Sequence, residues 1–90
     1  MHFEFDPDKS AANKAKHGVD FDQAQELWAD PNRLLIEARS VTEPRSALIG
    51  TMGDKVWVAI FTIRNERVRL ISVRRAREKE LELYEDDLGS

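Results

Sequence analysis

Val56-Trp57-Val58-Ala59-Ile60-Phe61-Thr62-Ile63 is apolar at almost every position, so it has no solvent face to offer. Such a run fits a strand buried on both sides, the centre of a sheet. It is too short to span a bilayer. Upstream, Arg45 to Thr51 reads as a second strand, and Met52-Gly53-Asp54 as the hairpin turn joining it to Lys55. Downstream, Arg64-Asn65-Glu66-Arg67 is a turn leading into a strand over Val68 to Val73. Leu34-Leu35-Ile36 is another strand, and Glu37 to Pro44 a connecting loop or irregular edge.

The flanks have helical signals. Asp6-Pro7 places a capping carboxylate before a proline at the first helical position, where its missing N–H costs nothing. A helix through His17 follows, ended by Gly18, with Lys16 and His17 in the last turn where the dipole favours cations. Asp20 caps a second helix, with Gln23 able to reach back and Val19 able to staple onto Ala24. Phe21, Ala24, Leu27 and Trp28 form its apolar stripe, and Asp30-Pro31 ends it. Ala76 to Asp87 is rich in helix formers. Ala76, Glu80 and Tyr84 share one face, and Leu81, Tyr84 and Leu88 form an apolar seam. His2 to Phe5 alternates like a short edge strand. Helices and strands come in separate runs, which predicts an α+β domain over 1–90. It has two N-terminal helices, a four-stranded, mainly antiparallel sheet and a C-terminal helix, with the helices on one side.

The chain has no cysteine, which excludes disulfides and thiolate metal sites. Met1 to Asp6 lacks the basic start and apolar stretch of a signal peptide, so a cytoplasmic protein with no membrane partner is expected. A net charge of −3 argues against general affinity for polyanions. Its distribution argues otherwise. Residues 1–54 carry −4 and residues 78–90 carry −5, whereas residues 55–77 carry +6 through Lys55, Arg64, Arg67, Arg69, Arg74, Arg75 and Arg77 against Glu66. A basic segment within an acidic chain can form a local anion site.

Two histidines, His2 and His17, match no ligand motif, the serines sit in no nucleophile elbow, and the glycines are isolated. No metal and no cofactor are expected. The arginines remain. A guanidinium is planar, permanently charged and forked, which suits phosphate oxygens and the negative charge of a pentavalent phosphorus. RNA supplies its own nucleophile, the 2′-hydroxyl. Arg64, Arg67, Arg69, Arg74, Arg75 and Arg77 are therefore the candidate phosphate-binding groups, with Lys16 as a further RNA contact and His17 as general acid or base. Arginines on a strand also read as a solvated face, and a histidine in a last turn as a dipole partner. Strict alternation places Val68, Leu70, Ser72 and Arg74 on one side and Arg67, Arg69, Ile71, Val73 and Arg75 on the other, so Arg74 and Arg75 meet only if the strand bends. Glu80 reads as an ion-pair partner for Arg77 or a sheet arginine. Trp28, Trp57 and Phe61 read as core.

Phe3-Glu4-Phe5-Asp6-Pro7, Lys9, Asn13, Lys16-His17-Gly18-Val19 and Phe21 resemble the start of BrnT toxins. The resemblance runs on through Asp30-Pro31, Ile49-Gly50 and Arg69-Leu70-Ile71-Ser72-Val73-Arg74-Arg75-Ala76 to Glu80 and Tyr84. It implies a RelE-like fold, an endoribonuclease that needs no metal, and a BrnA-like ribbon-helix-helix antitoxin through which alone operator DNA is bound. In the family, activity is linked to arginines at the positions of Arg64 and Arg74-Arg75, so the resemblance implies a pocket in which these three converge. A non-catalytic module serving as corepressor with a ribbon-helix-helix protein is the alternative, since an acidic remainder suits a basic partner segment.

Overall fold

A computed structural model describes residues 1–38 and 44–89. Strand β1 (Phe3–Glu4) leads to helix α1 (Pro7–His17), helix α2 (Phe21–Ala24) and a 3₁₀ turn over Gln25–Ala29. Strands β2 (Leu34–Ala38), β3 (Arg45–Met52), β4 (Lys55–Arg64) and β5 (Arg67–Arg75) follow, then helix α3 (Glu78–Leu88). The strand order is β1-β5-β4-β3-β2, so the apolar β4 takes the central place.

The sheet has five strands rather than four and is mixed. β1 runs parallel to β5, pairing Phe3 with Val68 and Glu4 with Arg69, while the other pairs are antiparallel. A parallel neighbour needs no tight hairpin, only a chain long enough to return, and α1 through β4 supply it. Most of the expected loop over Glu37 to Pro44 lies outside the described residues, but Glu37 and Ala38 extend β2.

Local signals act as their chemistry dictates. The Asp6 carboxylate accepts from Asp8 N at 2.8 Å, and Gly18 closes α1 at φ +82°. The Asp20–Gln23 capping box forms in both directions. Helix α2 is shorter than expected, however, tightening into the 3₁₀ turn before Asp30. Two-residue turns join β3 to β4 and β4 to β5. The second puts Asn65 at φ 52° and Glu66 at φ 63°, the left-handed pair of a type I′ hairpin.

The helices do not share one side. Val19, Phe21, Ala24 and Leu27 pack against Leu48, Trp57, Ala59, Phe61, Val68, Leu70 and Val73. Alternate residues of the same strands, Ala47, Ile49 and Val58, instead face Tyr84 of α3. Side chains one apart on a strand point to opposite faces, so α3 lies on the face opposite α2. Of the expected α3 seam, only Tyr84 is buried; Leu81 and Leu88 are exposed.

Buried polar groups tie these layers together. Asn13 donates through Nδ2 to Val19 O at 2.7 Å and Val73 O at 2.9 Å, and its Oδ1 accepts from Val73 N at 3.1 Å. It thereby satisfies the outer edge of β5 beyond the short β1 and holds α1 there. Asp30 Oδ2 accepts from Thr51 N, Thr51 Oγ1 and Tyr84 OH, the last at 2.6 Å, while Oδ1 takes Asn32 N. The Asp30-Pro31 pair is thus more than a helix stop: its carboxylate pins the 3₁₀ turn, β3 and α3 to one another. Beside it a Cβ on Gly50 would approach Leu27 O to 3.1 Å, which explains a glycine in mid-strand.

Candidate functional site

The antiparallel register of β4 and β5 skips one residue. Ile60 pairs with Ser72 and Phe61 with Leu70, leaving Ile71 as the extra residue of a bulge. This reverses the alternation of everything that follows on β5. Val68, Leu70 and Val73 all enter the core under α2, where strict alternation puts Val73 opposite the first two. Arg67, Arg69, Ser72 and Arg74 consequently share the other face. Arg64, paired with Arg67, joins them there.

The bulge gathers Arg74 with Arg64, Arg67 and Arg69, but it does not make one pocket. Arg74 is paired with Val58, six residues along β4 from Arg64, about 20 Å at strand rise. Arg75 is separated by the sheet itself. It pairs with Trp57 on the opposite face, its guanidinium 5.6 Å from the ring centroid. The expected convergence of Arg64, Arg74 and Arg75 is therefore corrected: the β5 bulge bends the strand before Arg74, not between Arg74 and Arg75. What results is a line of guanidinium groups along β5 and the β4–β5 turn.

The members of that line differ in how firmly they are held. Arg64 and Arg67 are exposed, and their side chains bond to no other described residue. Arg69 makes a loose pair with Glu4 at 3.9 Å. Arg74 is clamped: its Nη1 and Nη2 donate to Glu80 Oε1 and Oε2 at 2.7 and 2.8 Å, a bidentate pair. Glu80 is itself fixed, because Oε1 also accepts from Arg77 N at 2.8 Å in the first turn of α3. The bond from Arg74 holds the Glu80 carboxyl below its ordinary value despite burial, and Glu80 raises Arg74 in return. Glu80 thus pairs with a sheet arginine, one of its two expected partners.

Tyr84, one turn on from Glu80, turns to Asp30 instead of the arginines. Burial pushes the Asp30 carboxyl up, but hydrogen bonds from Tyr84, Asn32 and Thr51 outweigh it and leave the group below its ordinary value. Lys16 is exposed and His17 half-buried at the end of α1, and neither side chain bonds to another described residue. The structure joins neither of them to the arginine face. Trp57 and Phe61 are core, as expected, and Trp28 is half-buried between Phe3 and Phe61 with edge-on rings.

The β5 bulge was not anticipated from the sequence, whereas the pairing of Glu80 with a sheet arginine was. The paired arginines after Ser72-Val73, where Arg67 and Arg69 had alternated with Val68 and Leu70, were the available trace of a disturbed alternation. Among the described residues, no group of three or more His, Cys, Asp or Glu side chains is placed to hold a metal ion. No helix among them is long and apolar enough to cross a membrane.

Comparison with curated proteins finds no match. Comparison with family models does: residues 5–80 match the model described as ribonuclease toxin, BrnT, of type II toxin-antitoxin system. That span contains the bulge, every arginine of the line and Glu80. The chain belongs to the BrnT family of ribonuclease toxins, whose type II systems pair each toxin with an antitoxin.

Proposed function

We propose that this chain is a metal-independent endoribonuclease toxin that cleaves RNA by attack of the 2′-hydroxyl on the adjacent phosphorus. The products are a 2′,3′-cyclic phosphate and a 5′-hydroxyl. The observation that carries this reading is the shared face of Arg64, Arg67, Arg69 and Arg74 produced by the β5 bulge. Positive charge spread along a strand suits a polymer with one phosphate per nucleotide better than it suits a single anion. In this arrangement Arg64, Arg67 and Arg69 hold flanking phosphates, and Arg74 steadies the charge on the phosphorus under attack. Arg75, stacked on Trp57 across the sheet, has no part in it. His17 is the candidate to move the 2′-hydroxyl proton and Lys16 a peripheral RNA contact, both from the end of α1. A ribbon-helix-helix antitoxin is the proposed partner, and DNA is bound only through it.

The test is incubation of the purified chain with single-stranded RNA in EDTA, followed by analysis of the new 3′ ends. Cyclic phosphate ends in chelator are expected. Cleavage that stops in EDTA contradicts the reading, as does unchanged cleavage by a folded Arg74→Ala variant. His17→Ala cutting at the wild-type rate removes that residue from the mechanism.

A further inference from the structure

Guanidinium carries five N–H bonds on two usable edges, and the contacts of Arg74 sort onto them unevenly. Glu80 occupies the end of the group, taking one hydrogen from Nη1 and one from Nη2. The second Nη1 hydrogen reaches Arg75 O at 3.3 Å. What remains is the other edge, formed by Nε–H and the outer hydrogen of Nη2. No described residue accepts from Nε, and Nε is not among the buried unpartnered atoms, which are Glu4 Oε1 and Trp57 Nε1. With the Arg74 side chain 21% exposed, this edge is shaped to take two oxygens of one phosphodiester.

We infer that Glu80 is a positioning residue that grips Arg74 by one edge so that the opposite edge is presented, fixed in plane, to the scissile phosphate. The inference rests on the ribonuclease reading and assigns within it which contact orients the arginine. Glu80 is suited to the task because its carboxylate is anchored twice, to Arg74 and to the backbone N–H of Arg77 at the start of α3. Arg64 and Arg67, with no such anchor among the described residues, are ordered by the RNA itself. The pair of Arg74 and Glu80 is neutral as a unit, so its contribution is direction rather than net attraction. This has a distinctive consequence. Glu80→Gln removes a negative charge near the RNA, so binding stays equal or tightens, while the rate of cleavage falls because the fork is no longer held. Loss of orientation of this kind is worth about 10- to 100-fold in rate.

The experiment uses the full chain and two RNAs, a cleavable one for single-turnover rates and a 2′-deoxy analogue at the cut site for affinity. The expected result for Glu80→Gln is a rate lower by about 10- to 100-fold with analogue affinity unchanged or higher. In an Arg74→Ala background the same substitution should cost nothing more, because Glu80 acts through Arg74. A wild-type rate for Glu80→Gln, or an equal loss in both backgrounds, overturns the inference. Arg74→Lys is the second variant, useful if Glu80→Gln melts early: it keeps the charge and loses the second edge, and wild-type cleavage by it also overturns the inference. Nitrogen NMR of the Arg74 Nε–H separates this inference from the parent reading. A shift on adding the analogue, abolished in Glu80→Gln, supports the clamp even if the wild-type chain proves inert towards RNA, an outcome that sinks the ribonuclease reading alone. No shift overturns the clamp even if the chain cleaves RNA.

Discussion

On the face beneath α2, Phe21, Ala24 and Leu27 are fully enclosed against Ala59, Leu70 and Val73. On the face beneath α3, the buried apolar cluster is Ala47, Ile49, Val58 and Tyr84, and the sheet then gives way to Arg69, Arg67 and Arg64. One face of the sheet holds an enclosed apolar core that opens towards the exposed Leu35 and Ile63, and the other is only half covered and bears cations. Closing both sides would suit stability in so small a domain, where each buried side chain counts. Leaving one open keeps the backbone rigid from behind while guanidinium groups stand accessible in front, the arrangement a phosphate-binding surface requires.

The largest effect should come from the closed face. Leu27→Ala is expected to cost about 2–5 kcal/mol in urea unfolding, as a fully enclosed leucine. Leu88→Ala, on the exposed side of α3, should stay within about 0.5 kcal/mol. Similar losses at both positions would break the contrast.

Next in size is the Asp30 junction that binds α3 to the other layer. Tyr84→Phe removes one of four donors to a buried carboxylate and should cost about 1.5–3 kcal/mol. It should also weaken the acid dependence of stability. Asp30 and Glu80 sit below their ordinary values of 3.8 and 4.5, so their stabilisation is complete above about pH 5 and is lost as pH falls through their lowered values. With a donor gone, Asp30 is depressed less, and the decline on acidification becomes shallower. Thermal melts across pH 2–6 on both proteins measure this, and an unchanged acid limb contradicts it.

Glu66 tests the β4–β5 turn at the edge of the cationic face. A left-handed conformation strains a residue bearing a Cβ, so Glu66→Gly should stabilise the chain by about 1 kcal/mol. The smallest effects on folding, within about 0.5 kcal/mol, are expected for Arg64→Ala and Arg67→Ala, whose side chains bond to no other described residue. Each should still lower the slope of log affinity for single-stranded RNA against log salt by about 0.7. An unchanged slope removes that arginine from the RNA path.

Much of the fold was legible because its signals are local. The caps at Asp6 and Asp20, the stop at Gly18, the central place of β4 and both hairpins follow from residues within a few positions of one another. The same is true of the basic bias of residues 55–77, and the BrnT resemblance was carried by motifs read in order along the chain. The side of the sheet taken by α3 was not legible. Its single buried anchor, Tyr84, is chosen by Asp30, fifty-four positions away.

The chain alone therefore determined which residue types are available for chemistry: arginines in quantity, no thiol, and no metal-ligand motif. It also determined the caps at Asp6 and Asp20, the stop at Gly18 and the two hairpin turns, since capping and turn preferences act over a few bonds. It did not determine the early end of α2 or the extension of β2. Which arginines stand together was decided only in the tertiary structure. Pairing between β4 and β5 left Ile71 out of register, and one skipped residue moved Arg74 to the side of Arg69 and Arg75 to the side of Trp57. A strand repeats every two residues, so a shift of one reverses every side chain beyond it, and its own sequence does not specify where the partner strand will impose that shift.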